Sequence, residues 1–94
     1  MLDDAAKNDL GKRLRRAAGQ VNAVARMVEE DAYCVDILTQ IAAAAAALEK
    51  VGGIVLRRHL ETCVTAAFAD GSEDERQQKI EELMRVFGKY SDFK

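Results

Sequence analysis

The stretch DAYCVDILTQIAAAAAALEKVGGIVLRRHLETCVTAAFADG, residues 31–71, decides the fold. Within it Leu38, Ile41, Ala45, Leu48, Gly52, Val55 and His59 follow one another in alternating steps of three and four. That spacing makes a heptad-like seam along one side of an α-helix, suited to packing against another helix. Asp31 is a candidate N-cap, because its carboxylate can accept from amides of the next turn. Asp70-Gly71 supplies a break and a left-handed stop, so the helix is predicted to run from there to about Ala69. At 1.5 Å per residue, roughly 38 residues make a rod of ~57 Å. A compact domain of 94 residues is only about 25–30 Å across. Two shorter helices cannot cover such a rod, so its seam must be buried against another chain. The alternative is a break at Gly52-Gly53 that yields a compact monomer, since glycine pairs kink helices. The apolar spacing keeps its phase through both glycines, which favours the unbroken rod.

Working outward, Leu10, Leu14, Ala17, Val21, Val24 and Val28 form a single apolar stripe and predict a first helix over Asp4 to Glu30. Beyond the break, Ser72 and Glu75 form a capping box for a third helix, with Ile80, Leu83, Met84 and Phe87 on its buried face. The chain has no proline, is rich in alanine and leucine, and nowhere sustains strand-like alternation. The expected class is all-α: a three-helix subunit with a long central helix, one domain over residues 1–94.

The start, Met1-Leu2-Asp3-Asp4, is acidic and polar, unlike a signal peptide. The longest uncharged run, Ile37 to Leu48, is shorter than the roughly 20 residues a bilayer requires. A cytoplasmic protein with no membrane partner is expected. Two cysteines 29 positions apart form no local zinc knuckle or redox motif, and in a reducing compartment read as thiols or metal ligands. Net charge is −2, against wholesale attraction to nucleic acid. However, Lys7, Lys12, Arg13, Arg15 and Arg16 cluster on the first helix with only Asp9 among them. Such a cluster is either a solvated face or a surface that neutralises phosphates.

His59 and Cys63, at i and i+4, project from one helix face a turn apart, so a nitrogen and a sulfur can reach one ion. Alone the pair is also compatible with ordinary packing. Cys34 lies 25 residues before His59, about 38 Å away at helical rise, so one straight rod cannot bring the three together. Two antiparallel copies can. Setting Cys34 opposite position 61 puts the two-fold axis between Ala47 and Leu48, beside the run Ala42 to Ala47, where small side chains permit close approach. The rod, the alanine run and the donor spacing then share one explanation, an antiparallel dimer with two identical intersubunit sites. Two thiolates and one imidazole make a soft, three-coordinate set. Zinc usually demands a fourth ligand, and His59 is the only histidine; Cu(I) accepts three, and is the expected ion. Nothing resembles a phosphate loop, a Ser-His-Asp set or a water-activating metal site, so an enzyme is not expected.

The fragments Arg13-Leu14-Arg15-Arg16, Gly19-Gln20-Val21, Asp31-Ala32-Tyr33-Cys34, His59-Leu60-Glu61-Thr62-Cys63 and Ile80-Glu81-Glu82-Leu83 together resemble the CsoR-type family of bacterial metal- and stress-sensing repressors. The resemblance covers almost the whole chain. It implies dimers that form a four-helix bundle and pair into a tetramer, bound to operator DNA without a helix-turn-helix until the effector arrives. Within the family, Cys34, His59 and Cys63 resemble the Cu(I) branch. A histidine in the last position would indicate nickel or cobalt, and two cysteines without the histidine would indicate persulfide sensing. The resemblance also implies Tyr33 and Glu82 as partners for the far nitrogen of His59, although Glu81 lies beside Glu82. It carries Arg13 and Lys50 to the DNA face, with Arg16 and Gln20 as weaker candidates. Gly53 stands where related chains often carry another basic residue. A persulfide-sensing repressor and a copper-buffering protein are the alternatives.

Overall fold

The computed structural model describes residues 2–90, with the side chains of 87, 89 and 90 left out. It is helical throughout: α1 (Asp4–Glu29), α2 (Cys34–His59), a π-helical turn (Leu60–Val64), α3 (Thr65–Asp70) and α4 (Glu73–Tyr90), with no strand among the described residues. Two compact units are distinguished, Leu2–Leu56 and the segment from Arg57 onward.

Local chemistry sets the ends of the helices. Asp3 caps α1, its Oδ1 accepting from the Ala6 amide at 2.8 Å. At the other end Asp31 takes the left-handed conformation (φ 55°). The Ala32 amide donates to Met27 O at 2.9 Å and the Asp31 amide to Val28 O at 3.3 Å. This is the Schellman closure, with aspartate in the place glycine usually holds. Asp31 therefore ends α1 and does not cap α2, which begins three residues later at Cys34. The expected cap is corrected because the carbonyls left open at the end of α1 claim this residue first.

α2 passes through Gly52-Gly53 unbroken, so the break on which the compact alternative rests is absent. The helical run continues through the π turn to Asp70. Gly71 follows with φ −81° and ψ 162°, extended and not left-handed as expected. Glycine is needed there for space: a Cβ would stand 2.5 Å from Ala67 O and 2.8 Å from Glu75 Oε2. Ser72 then caps α4, its Oγ accepting from the Glu75 amide at 3.2 Å.

The core of the described chain is thin. In the Leu2–Leu56 unit the buried apolar residues are Ala6, Leu10 and Ala17 from α1 with Ala44 and Val51 from α2; in the other unit they are Val64 and Ala67. The larger side chains lie outside. Leu38, Ile41, Leu48 and Val55, the seam of α2, are all exposed, Leu38 to 63%. On α4, Ile80 and Met84 are exposed rather than buried as expected, and the Phe87 side chain lies outside those described. Apolar surface at regular helical spacing marks a protein contact surface.

The longest helical run also bears on the expectation of no membrane span. The run Cys34–Asp70 is long and apolar enough, by length and composition, to cross a bilayer. The uncharged run alone understated it, because aliphatic and alanine residues continue beyond Glu49-Lys50. Core helices of soluble proteins pass the same test. Here Asp36, Glu49, Lys50, Arg57, Arg58 and Glu61 recur along the run, and charges at membrane depth are costly.

Candidate metal centre

His59 is the last residue of α2, and Cys63 follows inside the π turn. Two threonines accompany that turn. The Thr62 hydroxyl donates to Arg58 O at 2.7 Å, and the Thr65 hydroxyl donates to Leu60 O, five residues back, also at 2.7 Å. Hydroxyls that occupy helix carbonyls compete with the backbone ladder and loosen it, which suits a turn closed by wider i→i+5 bonds. In a plain α-helix, residues four apart are rotated about 40° past one full turn. The wider turn rotates less per residue, so the angle between His59 and Cys63 differs from that of a plain α-helix. Cys63 is half-buried and a free thiol, with the Thr62 hydroxyl 3.7 Å from its Sγ.

The imidazole of His59 is largely covered, 19% exposed. Its Nε2 lies 2.7 Å from Glu82 Oε1 on α4. The approach is close but not directed along the N–H, so the buried Nε2 lacks an aligned hydrogen-bond partner; the distance, rather than the missing alignment, identifies Glu82 as its neighbour. The other Glu82 oxygen, Oε2, lies 3.8 Å from Lys79 Nζ. Of the two ring nitrogens, Nε2 is the one that faces Glu82. Of the two adjacent glutamates, Glu82 reaches the imidazole while Glu81 is exposed.

The other expected residues stand as follows. Cys34, a free and exposed thiol, opens α2, and Tyr33 precedes it, 70% exposed. Both belong to the Leu2–Leu56 unit, whereas His59, Cys63 and Glu82 belong to the other. Among the described residues, no group of three or more His, Cys, Asp or Glu suited to holding a metal forms within one chain. The donor types nevertheless fit a soft monovalent ion, two thiols and an imidazole nitrogen with a carboxylate behind the ring. Arg13, on α1, is half-buried and paired with Asp9 at 3.1 Å; Arg16 and Lys50 are exposed, all three in the Leu2–Leu56 unit. Arg57 pairs with Glu61 at 3.0 Å.

Sequence reading missed the π turn and the pairing of Lys79 with Glu82. The two threonines, Thr62 and Thr65, were the available signal for the turn. Lys79 stands three residues before Glu82, a spacing that places two side chains together on any helix.

The model of the metal-sensitive transcriptional repressor family matches residues 6–89. The chain is 54% identical over 65 residues to the copper-sensing transcriptional repressor RicR of Mycobacterium tuberculosis, covering 69% of this chain and 68% of the relative. It is 42% identical over 85 residues to the copper-sensing transcriptional repressor CsoR of Bacillus subtilis, 90% of this chain and 81% of the relative. The crystal structure of the copper-sensing repressor CsoR with Cu(I) from Geobacillus thermodenitrificans superposes with a TM-score of 0.88 at 40% identity, over 97% of this chain and 92% of that one.

Proposed function

The chain belongs to the metal-sensitive transcriptional repressor family, regulators rather than enzymes, and from that premise we propose that it is a cytoplasmic, Cu(I)-responsive repressor. It binds operator DNA without the metal and leaves it when Cu(I) is held by Cys34 of one subunit with His59 and Cys63 of the other. The whole chain acts as one metal-sensing, DNA-binding domain, in antiparallel dimers that form a four-helix bundle and pair into tetramers.

The observation that carries this reading is the donor set. His59 and Cys63 are held a turn apart, and the only other thiol, Cys34, opens the helix that His59 closes. Among the described residues no three-donor group forms, and the α2 seam is exposed where a second copy would cover it. The relatives named above are copper sensors, which favours Cu(I) among soft ions. The metal supplies a strong bond to soft donors. The protein contributes the orientation of the imidazole, through Glu82 at Nε2, and the link from His59 to α4. Tyr33 would join that support from its place before α2. Arg13, Arg16 and Lys50 meet phosphates, which supplies affinity and salt dependence rather than base choice.

Anaerobic Cu(I) titration of the protein on its own upstream DNA tests the proposal. One ion per subunit should release the DNA, and X-ray absorption should fit two sulfurs and one nitrogen. Four-coordinate binding, or stoichiometric binding unaffected by Cys34→Ala, would overturn it. Release by persulfide but not by Cu(I) would favour the thiol-sensing alternative, and Cu(I) binding without any DNA complex would favour a buffer.

A further inference from the structure

Each oxygen of Glu82 has a neighbour: Oε1 lies 2.7 Å from His59 Nε2, and Oε2 lies 3.8 Å from Lys79 Nζ, within ion-pair range but beyond a hydrogen bond. The side chains of His59, Glu82 and Lys79 are 19%, 39% and 30% exposed, so the cluster is sheltered at the ring and more open toward solvent. At His59 the distance is already short while the direction is off the N–H. Closeness is therefore satisfied, and the orientation of the carboxylate decides how firmly it holds the ring. A glutamate with a free second oxygen has several rotamers and water as competitor. A cation on that oxygen, placed one turn away on the same helix, restricts them.

We propose that Lys79 is a positioning residue for His59: by holding Oε2 of Glu82 it fixes the carboxylate against Nε2, and so keeps the Nδ1 lone pair free for the metal. This rests on His59 being a metal ligand, as proposed above. Its consequence is a tautomer preference built into the metal-free protein, with the proton on Nε2. Lys79 acts only through Glu82.

The test uses the fact that His59 is the sole histidine, so nitrogen NMR of the labelled, metal-free protein reads one imidazole without assignment. With the ring neutral, the wild type should show the Nε2–H tautomer in excess. Glu82→Gln defines the spectrum without the carboxylate. Lys79→Met should move the spectrum toward that of Glu82→Gln, and Lys79→Arg should return it toward wild type, whereas a merely structural loss would leave the tautomer ratio alone. In anaerobic chelator competition Lys79→Met should bind Cu(I) about two- to five-fold more weakly, the effect of one partly exposed ion pair. A wild-type tautomer ratio in Lys79→Met, or a Glu82→Gln spectrum equal to wild type, would overturn the role of Lys79. A wild-type protein that binds no Cu(I) would instead overturn the reading of the site, a result the tautomer measurement does not depend on.

Discussion

In the proposed site the two ring nitrogens of His59 have separate duties: Nε2 faces Glu82 at 2.7 Å, and Nδ1 would take the ion. Removing the ring therefore separates binding from signalling. In His59→Ala the two thiolates should still capture Cu(I), but the DNA complex should persist at copper levels that release wild type. Gel-shift or anisotropy titrations check this, and normal release by the variant would remove His59 from the link to α4. Arg13 and Lys50 make a second pair of predictions. Arg13 holds Asp9 at 3.1 Å between half-exposed side chains, an ion pair worth at most about 1 kcal/mol, so exchanging it for a phosphate costs little. Arg13→Ala and Lys50→Ala should each weaken operator binding and reduce its salt dependence by roughly one phosphate contact, leaving Cu(I) affinity nearly unchanged. An unaltered salt slope in both would return them to a solvated face. The candidate donors stand out in the sequence because so few residue types bind soft metals and because His59 and Cys63 are four residues apart. Glu82 came only from resemblance, since which of two neighbouring glutamates faces a histidine depends on how α4 is set beside it.

Among the helices, legibility followed the range of the forces involved. The span of α1, the Ser72 cap and the break after Asp70 rest on groups a few residues apart, and all are present. Asp31 misled because aspartate serves equally at the start of one helix or the end of another, and three residues separate the two here. Gly71 misled in its reason: the stop needs its missing side chain rather than a positive φ. Gly71→Ala should thus destabilise the protein by about 1–3 kcal/mol, because the clash is with backbone and cannot be relieved by a side-chain turn. Denaturant unfolding checks this; stability equal to wild type would show that the Asp70–Ser72 link shifts freely. The π turn was not legible in the apolar spacing, because the counted seam ends at His59, where the turn begins, and its one signal is the pair Thr62 and Thr65.

For the whole molecule, the deciding fact is what one chain leaves uncovered. Its buried apolar residues are mostly alanines, while Leu38, Ile41, Leu48 and Val55 lie exposed along α2. Burying a leucine or valine side chain fully contributes about 1.5–3 kcal/mol, so a second copy covering this seam would stabilise the chain it packs on. The proposed antiparallel pairing would set Cys34 of one subunit near His59 and Cys63 of the other, and it is directly testable by mixing defective chains. Cys34→Ala and Cys63→Ala homodimers should each lack an intact site. In a heterodimer of the two, one site has lost both cysteines and the other is complete. Anaerobic competition against a strong Cu(I) chelator should therefore find half the heterodimer's sites binding with wild-type affinity, although neither parent binds tightly. Verified heterodimers with no recovery of tight binding would contradict the intersubunit centre, because only a site within one chain stays defective in every mixture.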